Sequence, residues 1–335
     1  MKVSEAGEFG LIERIVAELG RSGPEPGAEL LIGIGDDAAA WRVRESVQIA
    51  TTDAMVENVH FQLDNTTWED VGWRALASNL SDIAAMGGAP DYALVALALP
   101  GETEVEDVLA LYRGMKLLAD EFGVTIIGGD VVSAPQVVVS ITVVGTSPTD
   151  SLLRRSAARP GDLVAVTGEL GGSAGGLAVL SGAPLPAEDT ASLKQAFLRP
   201  RPRVAEGQQL VTSGIRAAID ISDGLVADLT HICRLSQVGA QVDVDRLPLP
   251  DSLKQLFGKK ARDMALAGGE DYELLFTAPA DRIAAASAAL SVPVTVIGVV
   301  RENAPGHVEL VDGLGRPYQI VSTGWEHFRA GQQSP

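Results

Sequence analysis

Short β-branched runs alternate with stretches of helical spacing along this chain, and a polar, proline-containing break, Thr146-Ser147-Pro148-Thr149-Asp150, interrupts the alternation near its midpoint. Such an order restricts the chain to mixed α/β layers, with helices laid on sheets, and predicts two domains, 1–148 and 149–335. Val47, Ile49 and Thr51 show period-two spacing in a run that reads as a strand ending at Asp53. Thr66 with Glu69 predicts a capped helix whose buried side carries Val71, Leu76, Leu80 and Ile83, stopped by Gly87, Gly88 and Pro90. Residues 93–99 read as a buried strand, and Val105, Val108, Tyr112, Met115, Leu118 and Phe122 recur at helical spacing up to Gly123. Strands are further predicted at 124–127, 137–144, 163–167, 217–221, 241–244, 272–276, 294–299 and 308–311.

Composition narrows what such a fold can do. Of 335 residues, 46% are hydrophobic, enough for a sizeable core, whereas 26 Lys and Arg against 44 Asp and Glu leave a net charge of −18. Nucleic-acid binding needs neutralising cations in excess, so DNA and RNA are not expected partners. The single cysteine, Cys233, excludes an intrachain disulfide and a thiolate metal cluster, which fits a cytoplasmic setting. No apolar run approaches the roughly 20 residues of a membrane span, and the first residues lack a signal-peptide apolar region. The 36 glycines follow no fixed period, so they are expected in tight turns and where backbone approaches a ligand.

Aspartate dominates the polar clusters: Asp36-Asp37, Asp53 after Thr51-Thr52, Asp82 in Asn79-Leu-Ser-Asp, Asp130 after Gly128-Gly129, and Asp220 and Asp223 around Ser222. One aspartate at an element end is usually a cap or turn former. The same arrangement recurs in both halves, which points to convergence. Two carboxylates about 4 Å apart repel by about 4 kcal/mol at an effective dielectric of 20, so a converging set needs a cation. Oxygen donors without cysteine, with only four histidines and none paired at metal-binding spacing, select magnesium or manganese over zinc. Magnesium held this way completes its shell with substrate phosphates, and Arg155 is the better candidate for an anion clamp than the Arg199, Arg201 and Arg203 group.

Familiar nucleotide signatures do not fit. The P-loop pattern is absent. Gly33-x-Gly35-x-x-Ala38 matches a dinucleotide fingerprint only formally, because Asp36 and Asp37 would face the pyrophosphate. Asp220-Ile-Ser-Asp-Gly faintly suggests a phosphatase loop, yet Ser222 stands where its general acid would be.

Taken together, Gly7-Glu-Phe-Gly-Leu-Ile, Gly35-Asp-Asp-Ala, Thr51-Thr-Asp with His60-Phe61, Asn79-Leu-Ser-Asp-Ile-Ala-Ala-Met-Gly, Gly128-Gly-Asp, Asp220-Ile-Ser-Asp-Gly and Gly268-Gly-Glu-Asp-Tyr-Glu-Leu resemble the thiamine-monophosphate kinase family. That family lies in a superfamily with aminoimidazole ribonucleotide synthetase. The resemblance implies an N-terminal α/β domain that dimerises through its strands, a C-terminal α+β domain, and ATP with several Mg2+ ions between them. It implies phosphorylation of thiamine monophosphate to thiamine diphosphate by direct transfer. Metal ligands would be Asp36, Thr51, Thr52, Asp53, Asp82, Asp130, Asp220 and Asp223, with Asp37 assigned to the turn. Gly129, Asp130, Arg155 and Ser222 would contact ATP, and His60, Glu270 and Trp325 the acceptor. The acceptor phosphate is already anionic near neutral pH, so no covalent or general-base residue is expected.

Two alternatives remain open at this level. One is another ATP-dependent synthetase of the superfamily, although the reactive cysteine near the N-terminus that selenophosphate synthetases usually carry has no counterpart here. The other is a non-catalytic ATP-binding regulator.

Overall fold

The computed structural model describes residues 29–32, 36–43, 46–147, 150–183, 190–320 and 324. The first sheet is built from β1 (Glu29–Ile32), β2 (Ala39–Val43), β3 (Ser46–Val56), β4 (Ala89–Leu99), β5 (Thr125–Ser133) and β6 (Val138–Ser147) in the order β1-β2-β3-β6-β4-β5. Only β4 and β5 run parallel. They are joined by a crossover helix, as parallel neighbours require.

Helix α1 (Trp68–Ala85) precedes β4, and α2 (Val105–Phe122) is that crossover. Thr67 caps α1, accepting from the Asp70 N–H at 3.2 Å and donating its hydroxyl to Asp70 Oδ2 at 2.6 Å. The predicted Thr66 and Glu69 pair is thus displaced by one residue; Thr66 instead hydrogen-bonds the Asn65 side chain. The predicted apolar stripe also understates the burial of α1, because every residue but Trp68, Glu69 and Asp82 is buried. Small residues make that possible. A Cβ on Gly72 would lie 1.9 Å from the Leu111 carbonyl oxygen, and one on Gly114 would lie 1.8 Å from that of Glu69, so α1 and α2 touch backbone to backbone.

The second sheet comprises β7 (Leu163–Thr167), β8 (Ala217–Asp220), β9 (Gly239–Asp243), β10 (Leu274–Ala278), β11 (Val294–Arg301) and β12 (Val308–Val311), ordered β12-β9-β11-β7-β10-β8. Helices α3 (Gly172–Leu180), α4 (Ala191–Leu198), α5 (Val204–Thr212) and α6 (Leu225–Ser236) accompany it. Besides β3, β6 and α2, α1 packs on α5 and β8, so one hydrophobic cluster runs continuously from Ile49 and Leu76 to Ala218 and Phe276. The mixed α/β expectation holds, with α1 lodged between the two sheets.

Strand β4 differs from its prediction. It is buried on one face only: Ala93, Val95 and Leu97 are covered, while Tyr92 and Leu94 on the other face are 50% and 43% exposed. An unbroken apolar run cannot distinguish these arrangements, since both faces carry the same residue type. Strand β3 likewise continues past Asp53 to Val56, so Asp53 lies inside a strand and not at its end. No described helix is long and apolar enough to cross a membrane.

Candidate active site

Strand alternation sorts the Thr51-Thr52-Asp53 triplet onto two faces. Thr51 and Asp53 share the face of buried Val47 and Ile49, the face that α1 covers. The Thr51 hydroxyl donates to Asp82 Oδ2 at 2.5 Å, and the Asp53 N–H donates to Asn79 Oδ1 at 3.1 Å. Asn79 is fully buried and braced by the Ala75 carbonyl, so one turn of α1 fixes both contacts. Thr52 points the other way: its hydroxyl donates to the Ile141 carbonyl and accepts from Thr142. The structure therefore does not bring the Thr52 side chain to Asp53.

Carboxylate oxygens of Asp37, Asp82 and Asp220 lie within 4.8 Å of one another, the one such cluster found among the described residues. They arrive from three places: the turn before β2, α1, and the end of β8. Ser81, next to Asp82, donates to Asp220 Oδ2 at 2.6 Å and ties α1 to the second sheet. Asp37, set aside in the sequence reading, is the member of its pair that joins this cluster. Its carboxyl accepts from Arg155 Nη2 at 2.6 Å and Nε at 3.0 Å. Asp36 instead accepts the Arg155 backbone N–H at 3.2 Å and the Asp37 N–H at 3.1 Å.

Electrostatics mark the cluster as strained in the absence of a cation. Burial, followed by repulsion from Asp53, Asp220 and Asp37, holds Asp82 well above the ordinary carboxylate range. Burial and then Asp37 do the same to Asp220. Asp36 is pushed up to about 7 by burial and the Asp37 charge. Asp53 is solvent-exposed by area yet crowded enough that desolvation raises it, against a hydrogen bond from Ser78. Burial alone would lower the Arg155 pKa, and the carboxylates of Asp37, Asp220 and Asp36, with Asp37 foremost, together raise it above the ordinary value. A hard divalent cation fits this donor set, since it would relieve the repulsion that burial magnifies.

Asp223 and Ser222 occupy the turn between β8 and α6. That turn is organised by Asp228, a residue the sequence reading missed, whose Oδ2 accepts the N–H groups of Ser222, Asp223 and Gly224 at 3.0 to 3.2 Å. The signal for it was an acid in the first turn of a helix that opens at Gly224. The Ser222 carbonyl in turn accepts the Glu270 N–H at 2.9 Å, and Glu270 adopts φ 62°. Glu270 and His60 come together through Arg74 on α1, whose Nη2 donates to Glu270 Oε2 at 2.6 Å and to the His60 carbonyl at 3.1 Å.

Two expected residues stand apart. Asp130 is exposed on edge strand β5, its Oδ1 accepting from the Val131 N–H. It pairs across Ala96 and Ser140 with Ala54, three strand spacings or about 14 Å away, on the open face with Thr52. Gly129 is beside it, with room for no side chain: a Cβ would lie 1.8 Å from the Val95 carbonyl oxygen. Trp325 lies outside the described residues, as does the predicted Gly7-Glu-Phe-Gly-Leu-Ile segment; Gly324 lies against the Asp223 carbonyl.

Comparison with known proteins places this geometry in a family. Residues 35–147 match the AIR synthase related protein N-terminal domain, and residues 159–311 the corresponding C-terminal domain. The thiamine-monophosphate kinase of Bacillus subtilis is 41% identical over 307 residues, covering 89% of this chain and 94% of that protein. That of Aquifex aeolicus is 36% identical over 332 residues, covering 98% and 100%. A solved structure of AaThiL complexed with AMPPCP and TMP superposes with a TM-score of 0.85 at 34% identity, covering 98% of this chain and 99% of that one. Hydrogenase maturation protein HypE shares the fold at 20% identity and a TM-score of 0.66. With both domains matched in order and such identity over nearly its whole length, the chain belongs to the thiamine-monophosphate kinases of the AIR synthase related family.

Proposed function

We propose that the protein transfers the γ-phosphoryl group of ATP to thiamine monophosphate, forming thiamine diphosphate and ADP. The observation that carries the reading is the Asp37, Asp82 and Asp220 cluster beside Arg155, in a chain with this family membership. A phosphate oxygen of the acceptor attacks Pγ as the bond from Pγ to the β,γ-bridging oxygen breaks, and the electron pair leaves with ADP. Both reactants are anions, so their approach in line requires charge compensation. The cluster, with Asp53, Thr51 and Asp223, would hold Mg2+ ions, which supply that compensation when bound. Asp36 lies at its edge. Arg155 orients Asp37 and presents a guanidinium to nucleotide phosphates, and the turn at Ser222 offers a hydroxyl donor to them. His60, Glu270 and Trp325 would receive the thiamine portion. The acceptor oxygen needs no deprotonation, so positioning carries the rate.

This reading includes the division at 148/149, a cytoplasmic location and a homodimer formed through the open face of the first sheet. Supporting the dimer, Tyr92, Leu94 and Val132 are exposed there. Large apolar side chains grouped on one face mark an association surface. Asp130 and Thr52 share that face, Asp130 lying about 14 Å from Ala54 in the same register, so a second copy packed face to face would bring its own surface against Gly129 and Asp130.

Purified protein supplied with ATP, Mg2+ and thiamine monophosphate is expected to yield thiamine diphosphate, resolved by chromatography as its fluorescent thiochrome derivative. ATP consumption without that product would sink the assignment. A second expectation concerns pH. Asp36, Asp82 and Asp220 have folded pKa values raised above the unfolded value of 3.8. Their protonated forms favour folding, and that contribution is lost as pH rises from about 4 through 7 and above. In chelator the melting temperature should therefore fall between pH 5.5 and 8, and Mg2+ should restore roughly 5 °C or more at pH 8 but little at pH 5.5. Equal Mg2+ effects at both pH values would contradict a cation bound by these carboxylates.

A further inference from the structure

Arg74 takes part in neither the acidic cluster nor the expected substrate contacts, yet it is only 1% exposed and among the largest fully buried side chains. A guanidinium removed from water needs an anion beside it. Its ion-pair partner is Glu270, at 2.6 Å from Nη2. The same nitrogen donates to the His60 carbonyl at 3.1 Å. The Phe197 ring lies 4.0 Å from the guanidinium carbon, and among the described residues Nε and Nη1 meet no acceptor. The cation is thus sealed by an aromatic face on one side and directed at Glu270 on the other.

The placement is unusual in what it joins. His60 follows β3, Glu270 precedes β10, and Arg74 sits on α1 two turns before Asp82. Eight residues of helix span about 12 Å. That separation approximates the reach of thiamine monophosphate from its phosphate to its aminopyrimidine. One helix therefore carries the phosphate end of the site at Asp82 and braces the organic end at Arg74. The Glu270 side chain keeps 27% of its surface exposed, so its carboxylate is anchored at one oxygen and still open to a ligand.

We propose that Arg74 is a positioning residue for the acceptor: its guanidinium holds the Glu270 carboxylate and the His60 backbone at a fixed spacing that recognises the cationic heterocyclic part of the substrate. This rests on the reading that His60 and Glu270 contact thiamine monophosphate. Arg74 also supplies the counter-charge that Glu270 requires before the thiazolium arrives. Without it, the Glu270 side chain is free to leave the orientation in which it meets the acceptor, whereas the nucleotide end, braced by Asn79, Ser81 and Arg155, keeps its contacts.

The test is steady-state kinetics of Arg74→Met and Arg74→Lys, varying each substrate separately. For Arg74→Met, KM for thiamine monophosphate is expected to rise at least about tenfold, with KM for ATP within about twofold of the parent protein. Arg74→Lys retains the cation but loses the plane stacked on Phe197, so its KM for thiamine monophosphate should fall between those of the parent and Arg74→Met, with KM for ATP within about twofold. An unchanged acceptor KM in Arg74→Met, an equal rise in both KM values, or a lysine variant no better than methionine would overturn the assignment. Should Arg74→Met not fold, Arg74→Gln takes its place with the same thresholds, and misfolding of both would make the role purely structural. Failure of the parent protein to form thiamine diphosphate is a different result, because it removes the proposed function itself.

Discussion

Asp82→Asn is expected to lower turnover by about three orders of magnitude while leaving the fold intact. Asp82 is the member of the cluster most compressed by its neighbours, with Asp53, Asp220 and Asp37 all raising its pKa after burial has done so. Asparagine has the same shape and can accept from the Thr51 hydroxyl as the carboxylate does. It removes one negative charge from a buried repulsive set, so chelated protein at pH 8 should melt at a higher temperature than the parent. The same change deletes an anionic oxygen donor where phosphoryl transfer depends on charge compensation, and losses of this kind reach about a thousandfold. Opposite signs on stability and activity are the diagnostic feature. The Mg2+-induced rise in melting temperature should shrink in parallel, as calorimetry and a coupled ADP assay can show. Near-normal turnover would mean that the cluster is an accident of packing.

Leu94→Asp should separate the proposed dimer into monomers and suppress turnover by at least about a hundredfold. Leu94 is 43% exposed in the middle of the open face, in register with Thr142 and, through it, with Thr52. In a two-fold contact, a charge introduced there meets apolar surface or its own copy, and burying an unpaired carboxylate costs several kcal/mol. The hydrophobic core beneath is untouched, because Ala93 and Val95 face inward. The monomer should keep its thermal transition, whereas light scattering reports half the mass. Activity is expected to fall because Asp130 lies on the same open face, three strands from Thr52 within one chain. A fully active monomer would show that Asp130 acts from its own chain or not at all, and a mass unchanged from the parent would remove the interface from this face.

Much of this architecture is legible in the residue order. Period-two and helical spacing locate strands β3 to β12 and helices α1 and α2, because each buries a face and must repeat its apolar residues accordingly. Strands β1 and β2 and helix α6 have no counterpart in that reading. The boundaries are less faithful. Thr67 and not Thr66 caps α1, and β3 runs through Asp53. Polar residues inside β3 read as a strand end only because sequence does not reveal that α1 covers them with Asn79 and Asp82. The division of Thr51 and Asp53 from Thr52 follows from strand alternation and was available in advance. Arg74 left a fainter trace, as the one charge between Asp70 and Asp82 on an otherwise uncharged stretch of helix.

What the sequence alone determines is the chemistry on offer: oxygen donors in excess, one cysteine, few histidines, and an ordered set of motifs that identifies the family. Which donors meet is decided by tertiary structure. Asp36 and Asp37 are adjacent and identical in type, and only the position of Arg155, 118 residues from Asp37, turns Asp37 into the cluster and leaves Asp36 on a backbone amide. Asp228 is likewise one acid among many until the turn at Ser222 folds back on it. The physical reason is common to both. Local periodicity fixes the face on which a side chain emerges, whereas the partner it encounters is set by long-range packing between elements, which no local pattern encodes.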